Sequence, residues 1–378
     1  MLTVRESIRE MTDRLAARGD QYARAASLQA RVLRGEETDT QPLLLSAQLD
    51  LSRYPDFSPK ETHYDPEKML CQQLRAALCA AEGGREAAPS VRPNMGCGIV
   101  HALFGLTQQL FDDKMPWLQE HLDRDRIMAL EPGDLTVTPE FQMALTHIEY
   151  MADALKGTGV LVYPVDIQGA IDTAHLLMGD DMFYELYDDE EYMDHAIALS
   201  EAAIILAMDE CMKRIPASDT TVSHYSAFAL PRDKGAIKLS EDTTTLISRE
   251  HIRRYAAPAL HRLLSHYGGG YVHFCGKNGH LFDAVLDEPL CLGVNFGNPD
   301  MQDMDEALRR LASSRKCLMG PASVKTEIAK PYFSKVLRNS YSDCRFWCLL
   351  QYSCAPDQVE AVSRLWDDAA ASHRDRVK

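Results

Sequence analysis

The sequence lacks several features that would assign it to a function class at once. No apolar run approaches the ~18 residues expected of a membrane span. Lys and Arg total 40 against 56 Asp and Glu, giving a formal net charge of -16. The basic residues are scattered, so the basic face that a nucleic-acid binder needs is absent. No glycine-rich fingerprint follows any strand-like run, which disfavours a dinucleotide-binding fold. No linker or low-complexity tract divides the chain. The opening "MLTVRESIREMTDRL" reads as a charged amphipathic helix and not as a signal peptide, so a cytoplasmic location is expected. Neither a membrane nor a nucleic acid is an expected partner.

What is present is a chain of 378 residues with ten cysteines. That length suits one large α/β barrel or two average domains. In a chain of this kind disulfides are not expected, and most cysteines should be small buried apolar residues. Residues 1–90 read as a mostly helical segment: "VRESIREMTDRLAARGDQYARAASLQARVLRGE" has helical apolar spacing, and "DPEKMLCQQLRAALCAAEGG" opens with an Asp-Pro cap and stops at glycines. From residue 91 to 378 short apolar runs alternate with amphipathic helices. "GVLVYPVDIQGA", "TTVSHYSAFAL", "GYVHFCG", "LCLGVNFGNPD" and "RFWCLLQYSC" read as strands. Strand then helix, repeated, means parallel strands with crossover helices. The predicted fold is a (β/α)8 TIM barrel with an N-terminal helical extension.

In such a barrel functional groups collect at the C-terminal ends of the strands. His273 and Cys275, in "YVHFCGKNGH", are two residues apart in an extended segment and point to the same side. One metal ion could accept both. Cys354 stands where the last strand gives way to a helix; Cys317, in "RKCLMGP", competes as a third ligand, and alternation lets Cys348 share a face with Cys354. An imidazole and two thiolates are a zinc set, and three protein ligands with an open position describe a catalytic site. A solitary His-x-Cys is more often a packed strand end than a metal site. Asp166 and Gln168, in "YPVDIQGA", are candidates to line the mouth, against a plain solvated turn. Either Tyr225 or His224 could face the pocket, but not both. Asp242 is a candidate substrate contact or a helix-side cap. Asn94 and Cys97 sit in a Gly-rich turn, His101 and His175 on helical stretches, and Lys277 and Asn278 just past the metal pair, where structural roles suffice.

Five segments, in order, resemble the uroporphyrinogen decarboxylase superfamily: "VRPNMGCGIVHALFG", "YPVDIQGAIDTAHLLMGDDMFYELYDDEEYMDHAI", "EDTTTLISREHIRRYAAPALHRLL", "YVHFCGKNGHLFDAVLD" and "CAPDQVEAV". The resemblance implies a (β/α)8 barrel. The decarboxylases carry a Met-Arg-Gln-Ala-Gly-Arg-Tyr segment whose arginines grip carboxylates; the corresponding region here is "PLLLSAQLDLSRYPDFSP", with only Arg53. The pattern is closer to the cobalamin-dependent methyltransferase branch, in which His-x-Cys at one strand end and a Cys near the C-terminus bind zinc. The resemblance therefore implies His273, Cys275 and Cys354 as zinc ligands, with transfer of a methyl group between a corrinoid and a small molecule, expected to be a thiol. No Asp-x-His-x-x-Gly corrinoid signature is present, so methylcobalamin or another corrinoid is expected on a separate partner protein. The alternative is a metal-free decarboxylase-like lyase.

Overall fold

The structure is a computed structural model describing residues 2–38, 40–218, 220–222, 228–233, 235, 237–322 and 324–377. Two sets of parallel strands form its centre. Numbered in chain order, the strands are β1 Leu43–Ala47, β2 Ser90–Val91, β3 Leu161–Val162, β4 Ile237–Ser240, β5 Gly270–Phe274, β6 Cys291–Phe296, β7 Cys317–Pro321 and β8 Cys348–Cys354. Six of them make one parallel sheet in the order β1-β8-β7-β6-β5-β4, and β2 pairs in parallel with β3. Among the described residues no strand ladder joins the pair to the six. A single backbone bond, from Gly169 N to Ser240 O at 2.6 Å, ties the chain after β3 to the end of β4.

The helices used below are α1 Val4–Ala16, α2 Gly19–Leu33, α3 Pro66–Glu82, α4 Pro139–Ala154, α5 Ala170–Met178, α6 Glu190–Met212, α7 Ala257–His266, α8 Gly279–Asp287, α9 Met304–Ser313, α10 Ala329–Asn339 and α11 Val359–Val377. Each strand is followed by at least one of them before the next strand, the alternation that parallel pairing requires. Their starts follow the local sequence: Thr3 and Glu6 form a reciprocal capping box on α1, and Asp65 accepts the amides of Glu67 and Lys68 with Pro66 in the first turn of α3. No helix among the described residues is long and apolar enough to cross a membrane.

The strands separate two apolar clusters. Leu44, Tyr271, Cys317, Met319 and Leu349 pack together on one face. Leu43, Leu45, Val272, Phe274, Leu318, Leu350, Tyr352 and Cys354 lie on the other, with Leu15 of α1, Leu74 of α3, Phe333 of α10 and Trp366 of α11. Alternation along each strand enforces this split.

The region expected to be mostly helical, residues 1–90, contributes α1, α2 and α3 but also β1, which pairs with β8 throughout its five residues. The run "LLLSA" is too short for periodicity to separate strand from helix. The run "TTVSHYSAFAL" supplies the antiparallel pair Thr220–Val222 and Ala229–Pro231; residues 223–227 lie outside the described ones, and the strand in the parallel sheet is β4, further on.

Candidate metal centre

Register brings the site together. Ser240 of β4 pairs with His273 of β5, which pairs with Asn295 of β6. His273 has the parity of Tyr271, so its ring leaves the face opposite the helix layer. The chain then turns, and Cys275 comes back beside it: His273 Nε2 and Cys275 Sγ are 3.6 Å apart. The carboxylate of Asp242, just beyond β4, completes the group. Its Oδ1 lies 3.6 Å from His273 Nε2 and accepts the Cys275 amide at 2.6 Å. One ligand atom from each of Asp242, His273 and Cys275 falls within 4.8 Å of the other two.

The donor set and its spacing fit zinc. Imidazole nitrogen, thiolate and carboxylate are all zinc ligands, at about 2.0–2.3 Å, and a tetrahedral ion with such bonds holds its ligand atoms about 3.3–3.8 Å apart. The two separations of 3.6 Å fall in that range. The tautomer is also suitable. Asn295 donates its amide N–H to the carbonyl of Met319, which leaves its Oδ1 to accept from His273 Nδ1 at 2.5 Å. With the proton on Nδ1, the Nε2 lone pair faces Asp242 and Cys275, as a ligating histidine requires. Gly297 leaves room for the sulfur: a Cβ there would stand 2.5 Å from Cys275 Sγ and 3.1 Å from His273 Cε1.

The metal-free electrostatics are those of a partly buried site beside carboxylates. Burial, followed by the nearby Lys238 ammonium, lowers the His273 pKa and favours the neutral ring. Burial, followed by Asp242, pushes the Cys275 thiol up to about 11. A dication would reverse that preference, because a coordinating thiol is deprotonated.

The trio lines a cavity of about 600 Å³. Trp117, Leu176 and Leu246 supply apolar wall; Asp166, Gln168 and Lys238 supply polar wall. Gln168 Nε2 donates to Asp166 Oδ1 at 2.9 Å, and Lys238 Nζ lies 3.4 Å from the same oxygen. Arg92 stands 3.7 Å from Asp166 Oδ2. Lys238 is buried, and that burial lowers its pKa, opposed by the Asp166 charge. Two buried carboxyls adjoin the trio. Burial, then Asp242, raises Asp172 to about 7; burial, then Asp172, raises Glu241 well above the usual carboxylate range.

Of the residues singled out in the sequence, His273, Cys275, Asp242, Asp166 and Gln168 meet at this cavity, and Cys97 and His175, for which structural roles were expected, line it as well. Tyr225 and His224 lie outside the described residues. Cys354 does not join the trio: it ends β8 in the helix-side cluster, with the parity of Cys348, Leu350 and Tyr352. Cys317 and Cys348 open their strands and so sit at the end away from the rim. Asn278 caps α8 by accepting from Leu281 N, and His101 Nε2 donates to Thr173 O, 2.9 Å away, within the core. Sequence reasoning did not single out Asn295, Gly297, Asp172, Glu241 or Lys238. "GVNFGNP" carried a signal, since a buried Asn between apolar neighbours needs partners, but which partners depends on strand register.

No family model and no curated protein sequence matches the chain. Among solved structures it is similar to a methyltransferase from Methanosarcina mazei, with a TM-score of 0.63 and 14% identity over 90% of this chain and 97% of that chain. At that identity the likeness is one of fold.

Proposed function

We propose that this chain is a zinc-dependent methyltransferase that moves a methyl group between a corrinoid carried by a separate partner protein and a small thiol. In this reading the six strands and the β2–β3 pair are two arcs of one (β/α)8 barrel, with the reaction at its C-terminal mouth. The observation that carries the reading is the convergence of Asp242, His273 and Cys275 at one spot of a cavity, with His273 held in the ligating tautomer by Asn295. The fold shared with a methyltransferase supports it.

His273 Nε2, Cys275 Sγ and Asp242 Oδ1 would hold the ion, leaving one position open. Bound there, Zn²⁺ supplies Lewis acidity that lowers the pKa of a thiol placed in that position. Asn295 keeps the imidazole oriented, and Gly297 gives the sulfur its space. Trp117, Leu176 and Leu246 give the mouth an apolar wall, while Asp166, Gln168 and Lys238 orient the polar part of the substrate. In the transfer a sulfur–carbon bond forms as the cobalt–carbon bond breaks. Its electron pair stays with cobalt, and the thiol proton goes to solvent.

The decarboxylase-like alternative finds no support in the cavity. Among the described residues no arginine lines it, and a polyanionic porphyrinogen needs such donors. The deciding experiment mixes the zinc-loaded protein with free methylcobalamin and 2-mercaptoethanol and follows the visible spectrum. Demethylation of the corrinoid that stops on removal of zinc is expected. Absence of transfer, together with conversion of uroporphyrinogen to coproporphyrinogen by the metal-free protein, would overturn the proposal.

A further inference from the structure

Two buried carboxyls beside the trio, Asp172 in the cavity wall and Glu241 behind it, interlock the elements that carry it. Asp172, in the first turn of α5, accepts the amide of Asp242 at 2.9 Å through Oδ2 and that of Thr243 at 2.7 Å through Oδ1. The reverse contact runs from Asp172 N to Glu241 Oε2 at 3.4 Å. Glu241 is fully buried, and its own amide donates to the carbonyl of His273 at 3.0 Å. Its carboxyl occupies the space above Gly169, where a Cβ would lie 2.1 Å from Oε1. Each acid thus holds the backbone that carries the other. The far side of the same turn is held by Asn278, whose Nδ2 donates to Thr244 Oγ1 at 2.9 Å.

As a stabilising device this is a poor choice. Taking carboxyls out of water costs several kcal/mol each, and apolar residues of similar size commonly do as well or better. Glu241 Oε1 is buried without a hydrogen-bond partner, a further cost. What the arrangement does supply is position. Asp242 leaves β4 on a short turn, and its side chain must stand 3.6 Å from a ring on the next strand.

We infer that Asp172 and Glu241 are positioning residues: a reciprocal clamp between α5 and the turn after β4 that fixes the Asp242 carboxylate at the metal position. This rests on the metal reading proposed above. Outer partners of metal ligands typically control about 10–100-fold in affinity. Because the clamp works through Asp242, its effect must vanish when Asp242 is gone.

The test is a double-mutant cycle on metal affinity, with Co²⁺ as optical probe and Zn²⁺ measured by chelator competition. Asp172→Asn keeps one acceptor oxygen and the side-chain shape. It should weaken Zn²⁺ binding about tenfold and change the visible Co²⁺ spectrum as the carboxylate ligand loosens. In an Asp242→Ala background the same substitution should change neither affinity nor spectrum. Equal losses in both backgrounds would show that Asp172 acts on the site by another route and would overturn the clamp. So would unchanged affinity in Asp172→Asn itself. Should Asp172→Asn unfold, Gly169→Ala, which drives a methyl into the Glu241 carboxyl, replaces it in the cycle with the same expectations. If the unsubstituted chain binds neither Co²⁺ nor Zn²⁺, the metal reading fails and the clamp fails with it. That result is distinct from binding in the parent that Asp172→Asn leaves unaltered.

Discussion

Gly297 is the residue on which the sulfur's position depends most directly. A methyl group there would lie 2.5 Å from Cys275 Sγ, closer than any carbon–sulfur contact allows, and 3.1 Å from the His273 ring. The residue is exposed, and its amide donates to Phe274 O, a bond that alanine keeps. Gly297→Ala should therefore displace the thiol and weaken zinc binding by at least about tenfold, with little change in thermal stability; chelator competition and thermal unfolding measure the two. A variant with parental affinity would show that the sulfur is not a ligand in this position. At this scale the sequence was legible where chemistry and spacing coincide. His273 and Cys275 are read from two ligand-type residues two apart in a strand. Asp242 was visible as a candidate contact but not as a ligand, because its approach depends on the turn that follows β4. Cys354 fits the ligand pattern by residue type, yet side-chain alternation in β8 turns it toward Leu350 and Tyr352. Asn295 lies 22 residues beyond its histidine, and only the β5–β6 register joins them.

Among the elements, the short helical segment Cys97–Phe104 carries a titration of its own. His101 is fully buried in the core, its Nε2 2.9 Å from Thr173 O in α5. Burial lowers its pKa from 6.5 to about 4. A histidine with a depressed folded-state pKa favours unfolding once the unfolded chain takes up the proton. Its contribution to stability is complete above pH 6.5, shrinks as pH falls below that value, and is gone near pH 4. The size of the loss is about 3 kcal/mol. Asp172 and Glu241, whose values are raised, act in the opposite sense: their proton uptake stabilises the folded state as pH falls. Comparison with His101→Gln cancels that shared part. Urea unfolding at pH 7 and pH 4.5 should show the parent losing more stability than the variant. Equal losses would place His101 in a more hydrated setting than the core. Elements were legible where periodicity ran long, as in α1, α3 and α6. They were not where runs were short. Nothing in "LLLSA" distinguishes β1 from a helical turn, and β4, "IKLS", carries a lysine whose partners are supplied by the chain after β3.

For the molecule as a whole, the strand–helix alternation fixed the α/β class without any metal, and the apolar clusters on both strand faces hold the sheet together independently of the site. A chain of this size has a core large enough to fold unaided. Zinc should therefore stabilise the structure only by mass action, about 2.7 kcal/mol at a free concentration 100-fold above Kd, and its loss should leave unfolding cooperative. The chain is strongly acidic, with a formal charge of -16, yet the cavity also contains a buried lysine beside Asp166. Function is set at that local scale rather than by net charge.

The most direct test is the metal content of the purified protein after exhaustive dialysis against metal-free buffer, set beside that of Cys275→Ser. The serine hydroxyl stays protonated near neutral pH and does not replace a thiolate toward Zn²⁺. The expected result is close to one zinc per chain in the parent and almost none in the variant, with both proteins unfolding cooperatively. A parent that retains no zinc, or a variant that retains as much as the parent, would contradict a catalytic zinc site built on His273, Cys275 and Asp242.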